Sequence, residues 1–81
     1  MQRFYFQLRQ DGELILEEEG LELADVAAAR REAERGAREL LAEAIKAGKD
    51  TVPEAFVIAD EHGRPVNTVL LLAVLPKSLK K

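Results

Sequence analysis

Few side chains in this sequence are of the types that carry out covalent chemistry. His62 is the only histidine and follows Glu61, Ser78 is the only serine and lies close to the last residue, and there is no cysteine. Nucleophilic catalysis needs a nucleophile with a base in hydrogen-bond reach, and these residues do not assemble such a pair in the usual way. We therefore expect no catalytic residue and no enzyme.

The acidic residues do not form a recognisable metal site. The run Glu17, Glu18, Glu19 and Glu22 lacks the Asp-x-Asp-x-Asp-Gly spacing of a calcium loop. We interpret it as a solvated loop that favours the positive end of the following helix, and His62 as a solvated turn residue. No glycine-rich loop is present that could cradle a phosphate. We predict no metal and no cofactor.

A stripe of arginines is the main cationic feature of the predicted helix. Arg31, Arg35 and Arg38 fall on one side of the predicted helix, where they could grip phosphates or an acidic partner. Glutamates interleave with them, and Glu34 precedes Arg38 with the favourable i,i+4 spacing. The net charge of −3 also argues against binding driven by phosphate neutralisation. We expect a solvated face of mixed charge and no nucleic-acid site.

Length and composition indicate one globular domain. The chain has 81 residues, of which 47% are hydrophobic and 33% charged. The longest apolar run, Val69 to Leu75, is far shorter than the ~20 residues that span a bilayer, and the first residues lack a secretory signal pattern. The absence of cysteine suits a reducing compartment. We predict a single domain over residues 1–76, a frayed basic tail over 77–81, a cytoplasmic location and no membrane association.

The first half of the sequence predicts a hairpin followed by a helix. "RFYFQLR" alternates aromatic and polar residues like a half-buried strand. Asp11-Gly12 favours a type I′ turn, and "LIL" returns as strand 2 until the acidic run ends it. The helix is predicted from Val26 to about Ala47, with Asp25 as its N-cap and Gly48 just after its end.

The first half of the apolar side of this helix carries mostly small side chains. One arc of the helix carries Val26, Ala29, Ala33, Gly36, Ala37, Leu40, Leu41 and Ala44. A glycine within a helix costs about 1 kcal/mol relative to alanine. We interpret Gly36 as a point of close approach to a bulky side chain, with Phe4, Phe6 and Phe56 as candidates. The alternative is that Gly36 is merely tolerated.

The second half predicts another hairpin. Phe56 and Ile58 alternate along a third strand, "DEHG" forms the turn, and Pro65 leaves the fourth strand unpaired or bulged at its start. The order β-β-α-β-β predicts an α+β fold: a two-layer sandwich with a four-stranded, mainly antiparallel sheet and one helix on one face. Strand order 2-1-3-4 is expected, and 2-1-4-3 is the alternative.

The last strand, taken as residues 66–75, is apolar on both of its faces. A three-residue turn pairs Ile58 with Val66, and a four-residue turn pairs Ile58 with Asn67, which exchanges the two faces. We favour the second register, which turns Val69, Leu71, Ala73 and Leu75 toward the helix. Residues 72–75 should then extend beyond strand 3 as an unpaired edge. The opposite face carries the predicted interface residues Tyr5, Val57, Leu70, Leu72 and Val74.

The order of motifs resembles a family of small bacterial domains of unknown function. The matching segments are "RFYF", "EEGLELAD", "AARREA", "LLAEAIKAG" and "DEHGRPV", from Arg3 to about Leu71. Ala24 stands where the family usually has proline, and "LLLAVL" is more apolar than its usual last strand. The resemblance implies a fold but no activity and no functional residues.

Two functions are open from the sequence. We favour a non-catalytic interaction or oligomerisation module, a homodimer, with an unidentified protein partner as the other way to cover the apolar face. The alternative is a regulatory protein linked to nucleic acid, because the chain is also similar, at the level of fold, to antitoxins of the HicB type.

Overall fold

The computed structural model describes residues 1–16 and 19–79. In this part of the chain three strands precede one long helix and two strands follow it, and two short 3₁₀ turns come after the last strand. In chain order the elements are β1 (Gln2–Gln10), β2 (Glu13–Ile15), β3 (Leu21–Leu23), α1 (Val26–Ala47), β4 (Ala55–Ala59), β5 (Pro65–Leu70) and the 3₁₀ turns Leu71–Val74 and Lys77–Leu79.

The strands form one antiparallel sheet in the order β2-β1-β4-β5, with α1 on one face. This confirms the α+β fold and the strand order 2-1-3-4, in which the predicted strands 3 and 4 are β4 and β5. The alternative order 2-1-4-3 is wrong. The strand β3, which was not predicted, pairs antiparallel with the first residues of β1.

The chain after the first turn, here called the return chain, pairs with β1 in two separate segments, β2 and β3. Leu8 of β1 faces Ile15, whereas Phe4 faces Leu21. Between the two pairs the return chain is therefore two residues longer than β1. The acidic run was predicted to end strand 2, and strand β2 does end at Ile15. Glu17 and Glu18 lie outside the described residues.

Both predicted turns and both helix ends are confirmed. Asp11 and Gly12 have positive φ angles of 53° and 77°, as a type I′ turn requires. The Asp25 carboxylate accepts a hydrogen bond of 2.8 Å from the Ala28 N–H at the start of α1, and Gly48 ends the helix in the left-handed conformation.

Small helix residues face large strand residues in the core, as the sequence predicted. Ala29 and Ala33 pack with buried Phe4, Ile58 and Val69. Farther along the helix, a second cluster is formed by Ala37, Leu41 and Leu71.

Gly36 lies against the ring of Phe56, one of its three predicted neighbours. A Cβ atom added at Gly36 would lie 3.5 Å from two ring atoms of Phe56, an ordinary van der Waals distance. The bulky neighbour is thus confirmed, but the approach is not so close that glycine is required. The alternative interpretation, a tolerated glycine, fits this geometry better.

The second hairpin has the favoured register, but its last strand is shorter than predicted. Ile58 pairs with Asn67, and a bulge next to Ala59 lets that residue pair with Pro65. Strand β5 ends at Leu70, so the predicted extended overhang of residues 72–75 is wrong. Beyond the hydrogen bond from Leu71 N–H to Glu54 O, the chain turns into a 3₁₀ helix that supplies local backbone partners.

Candidate interaction surfaces

The residues considered for chemistry lie apart from one another. His62 is exposed in the turn between β4 and β5, and Ser78 is exposed in the 3₁₀ turn Lys77–Leu79. The Asp60 carboxylate accepts hydrogen bonds from the backbone N–H groups of His62 and Arg64, both at 2.9 Å, so it is committed to holding the turn. No group of three or more potential metal ligands occurs among residues 1–16 and 19–79.

One of the three arginines of the stripe is paired with neighbouring glutamates. Arg35 forms ion pairs with Glu32 and Glu39, and the hydrogen bond and charge of Glu32 raise the pKa of its guanidinium above the usual value. Arg30, on a different side of the helix, is 3.4 Å from the Glu34 carboxylate. The helix surface therefore has the mixed charge that the sequence predicted.

One candidate surface is the sheet face opposite α1, here called the open face. The strand registers bring to this face three residues of β1, three of β4, two of β5 and one of β2: Tyr5, Gln7, Arg9, Ala55, Val57, Ala59, Thr68, Leu70 and Leu14. Its central residues are already covered within the chain, since Val57 is only 5% exposed and Ala55 is fully buried. Its apolar exposure lies at the sides, where Leu14 is 45% and Leu70 55% exposed.

The predicted interface residues divide into three groups. Leu70 lies on the open face, and Leu72 follows it in the 3₁₀ turn with 61% of its surface exposed. Tyr5 is half-buried and Val57 is buried. Val74 is not on the open face. It packs against both core clusters on the helix side, because the 3₁₀ turn breaks the alternation of a strand and redirects this side chain.

The outer edge of β5, beside Leu70, is partly blocked against pairing with another strand. The Asn67 side-chain oxygen accepts hydrogen bonds of 2.8 Å from both the Thr68 N–H and the Arg30 guanidinium. Pro65 has no N–H to offer, and the strand is short. These are the devices that protect edge strands. A partner at this end of the protein would therefore bind the face of the sheet and not its edge.

A second candidate surface is a groove beside the helix, which sequence reasoning missed. The helix packs chiefly against β4, β5 and the first 3₁₀ turn, so it lies over one half of the sheet. The helix-side residues of β1 and β2 are left partly uncovered, and Ile15 and Leu16 are 53% and 63% exposed. The groove encloses about 470 Å³ and is lined by Phe6, Leu8, Ile15, Leu16, Gly36, Leu40 and Phe56, with Glu39 and Glu43 at its border.

The groove continues toward the start of the helix. An adjoining depression of about 370 Å³ shares Phe6, Gly36, Glu39 and Phe56 with it and adds Glu19, Leu21, Glu32 and Arg35. The two together form a channel between α1 and the return chain, here called the helix-side groove. A signal for it was present in the sequence, because "LIL" in a short strand is apolar on both faces while one helix covers one face only in part.

The comparisons with known proteins identify the family. A family model described as a domain of unknown function (DUF6894) matches residues 3–72. The chain belongs to this family. The match covers every strand and the helix, and it confirms the resemblance to a family of domains without known function. No curated protein and no solved structure matches the chain. No helix within the described residues is both long and apolar enough to cross a membrane.

Proposed function

We propose that this member of the DUF6894 family is a non-catalytic interaction module that forms a homodimer through the open face of its sheet, in the cytoplasm and without a cofactor. The observation that carries the proposal is the exposure of Leu70 (55%) and Leu72 (61%) at the end of a sheet whose other face is occupied by α1. Exposed leucines next to one another on an uncovered sheet are typical of association surfaces. The cysteine-free composition favours a reducing location.

The charges of the open face favour a second copy as the occupant. Arg9 and Glu13 both border the same shallow depression of this face. A two-fold axis brings identical patches together, so a patch with one sign of charge would repel itself, whereas a patch with both signs can pair with its copy. The open face meets that condition together with Glu13 at its border, since Glu13 lies on the opposite side of β2 from Leu14.

The size of the exposed apolar surface sets the expected strength. Leu14, Leu70 and Leu72 are each about half exposed. Completing their burial in two protomers would contribute about 5–9 kcal/mol, at about 1.5–3 kcal/mol for a fully buried leucine. Association costs an estimated 4–15 kcal/mol. The most favourable combination of these figures leaves about −5 kcal/mol, so we expect a weak dimer with a Kd of roughly 0.2 mM.

The test is sedimentation equilibrium of the double variant Leu70→Glu with Leu72→Glu beside the wild type. The wild type should gain mass toward a dimer as its concentration rises to roughly 1 mM, above the expected Kd, and the variant should stay a folded monomer. The matched control is Ala42→Glu with Ile45→Glu, which adds the same charge at exposed positions of α1, on the other side of the sheet. The control should still dimerise. A wild type that remains monomeric over the whole range would contradict the proposal.

The nucleic-acid alternative receives no support from the ion pairs of the helix. A protein that binds phosphates presents free cations, and its affinity falls steeply with salt, whereas Arg35 is held between two glutamates. We expect no binding to generic duplex DNA even at low salt. Binding that appears at low salt and disappears at moderate salt would favour the alternative, and a tightly bound stoichiometric metal or cofactor in the purified protein would overturn the non-catalytic proposal.

A further inference from the structure

The helix-side groove has the dimensions of a second helix site. The main path of the sheet has four strands, which at about 4.8 Å between strands gives a width of about 19 Å. One helix with its side chains covers about 10 Å. Since α1 packs chiefly on β4 and β5, the remaining half of the sheet on the same side has room for one more helix laid beside it.

The floor of the groove is apolar and its rim is acidic. Phe6, Leu8 and Leu40 are half-buried there, and Ile15 and Leu16 are more than half exposed. Along the rim lie four glutamates and one arginine, a formal charge of −3: Glu19, Glu32, Arg35, Glu39 and Glu43. Arg35 is already paired with Glu32 and Glu39, so the rim has no free cation of its own to balance the rest.

The negative charge of this rim argues against a second copy of the chain as the occupant of the groove. Two copies that met groove to groove would bring like charges together, which opposes association. The helix α1 of a second copy cannot fill the groove either. Its apolar side already packs against the sheet of its own chain, and its exposed side carries charges such as Arg31, Arg38 and Glu39.

We propose that the helix-side groove binds an amphipathic helix of another protein, one with an apolar stripe flanked by lysine or arginine. The apolar stripe would cover Ile15, Leu16 and Leu40, and the flanking cations would meet Glu39 and Glu43. Laying an amphipathic helix into an apolar groove is a recurring mode of peptide recognition. The groove meets the open face at Leu16, which also borders a depression with Tyr5 and Gln7, so variants at Ile15, Glu39 and Glu43 are the ones that separate this proposal from the homodimer.

The probe is a fluorescein-labelled designed peptide of about 18 residues, roughly 27 Å long as a helix, with leucines at i, i+3, i+4 and i+7 and lysines on both flanks. Its control has the same leucines with glutamates in place of the lysines. Fluorescence anisotropy should show the lysine peptide binding the wild type at least about tenfold more tightly at low salt, with a smaller ratio in about 1 M salt, where the Debye length is about 3 Å. Equal binding of both peptides, or none of the lysine peptide, overturns the proposal.

Charge reversal tests the position of the site. Glu39→Lys with Glu43→Lys should reverse the preference between the two peptides. The matched control, Asp50→Lys with Glu54→Lys, makes the same change in net charge at exposed positions away from the groove and should keep the preference of the wild type. If both variants behave alike, the lysine peptide responds only to net charge and the groove is not its site.

Polar substitution tests the apolar floor and separates the two surfaces. Ile15→Ser with Leu16→Ser changes side chains that are already more than half exposed, so the fold should persist while binding of the lysine peptide weakens about tenfold. Leu70→Ser with Leu72→Ser should leave peptide binding unchanged. A peptide that gains strand instead of helix by circular dichroism would point to pairing with the edge of β2. A loss of protein dimer in the single variant Ile15→Ser, which leaves Leu16 at the border of the open face unchanged, would assign the groove to a second copy. Either result overturns the proposal.

Discussion

Two glycines at different positions should respond to alanine in opposite directions. Gly36 lies within α1, where alanine is more favourable than glycine by about 0.8–1 kcal/mol. Its new Cβ would lie 3.5 Å from the Phe56 ring, in ordinary contact. Gly20 has a φ of +73°, and its Cβ would lie only 2.9 Å from the Phe4 carbonyl oxygen and from a ring atom of Tyr5.

The magnitudes follow from these contacts. For Gly36→Ala we expect the free energy of unfolding to rise by about 0.5–1 kcal/mol, which raises the Tm by about 2–8 °C in a domain of this size. For Gly20→Ala, a left-handed non-glycine residue costs about 1–2 kcal/mol, and displacing backbone Phe4 adds about 1–3 kcal/mol. We therefore expect a loss of about 2–5 kcal/mol, which is a large part of the stability of a small domain.

The assay is urea unfolding followed by circular dichroism, with the m-value checked for constancy. Both substitutions should be made in the Leu70→Glu/Leu72→Glu background, so that self-association does not contribute to the apparent stability. A lower midpoint for Gly36→Ala would mean that the helix and the Phe56 ring are closer than the structure has them. An unchanged midpoint for Gly20→Ala would refute the close approach of the return chain to β1.

Three further predictions concern single side chains. Asp25→Ala should lower the free energy of unfolding by about 1 kcal/mol, because it removes the helix N-cap, whereas Asp25→Ser should restore most of the loss in the same urea assay. The hydrogen bond from the backbone N–H of Arg64 is the main cause that holds the pKa of Asp60 below its usual 3.8. The ionised carboxylate therefore stabilises the fold at pH values above the unfolded pKa. This contribution is lost as the pH falls through the lower pKa of the folded state. An NMR titration should find that lower midpoint, and a value at or above 3.8 would contradict the turn geometry. Leu71→Ala should cost about 2–5 kcal/mol because Leu71 is fully buried, whereas exposed Leu72→Ala should stay within about 0.5 kcal/mol; similar losses would refute the burial of one and the exposure of the other.

The parts of the fold that the sequence predicted are those with a strong local signal. Asp11-Gly12 defines the first turn, Asp25 and Gly48 define the ends of the helix, and alternation through Phe56 and Ile58 defines β4. The residues left the register of β5 open, because both faces of this strand are apolar, and the resemblance to the family favoured the register that turns Val69 into the core.

The parts that escaped prediction depend on long-range geometry. Strand β3 is only three residues long and forms by pairing with the start of β1, so its own sequence carries little signal. The apolar run after Leu70 resembled a strand. Its ladder with β4 ends at Glu54, which follows Pro53, so the backbone forms a 3₁₀ turn instead. The helix-side groove arises from the sideways position of α1 over the sheet, which the pattern of apolar residues along a helix does not determine.

The most direct test of the homodimer proposal is an NMR dilution series of the isotope-labelled wild type, which reports each backbone amide separately. The account predicts that chemical shifts change with concentration at Leu14, Leu70 and Leu72 on and beside the open face, while Ile15 and Leu40 in the helix-side groove stay constant. Shifts confined to the groove would show that a second copy binds there, and shifts that are constant everywhere up to roughly 1 mM, above the expected Kd, would show that the protein is a monomer. Either result contradicts the proposed dimer.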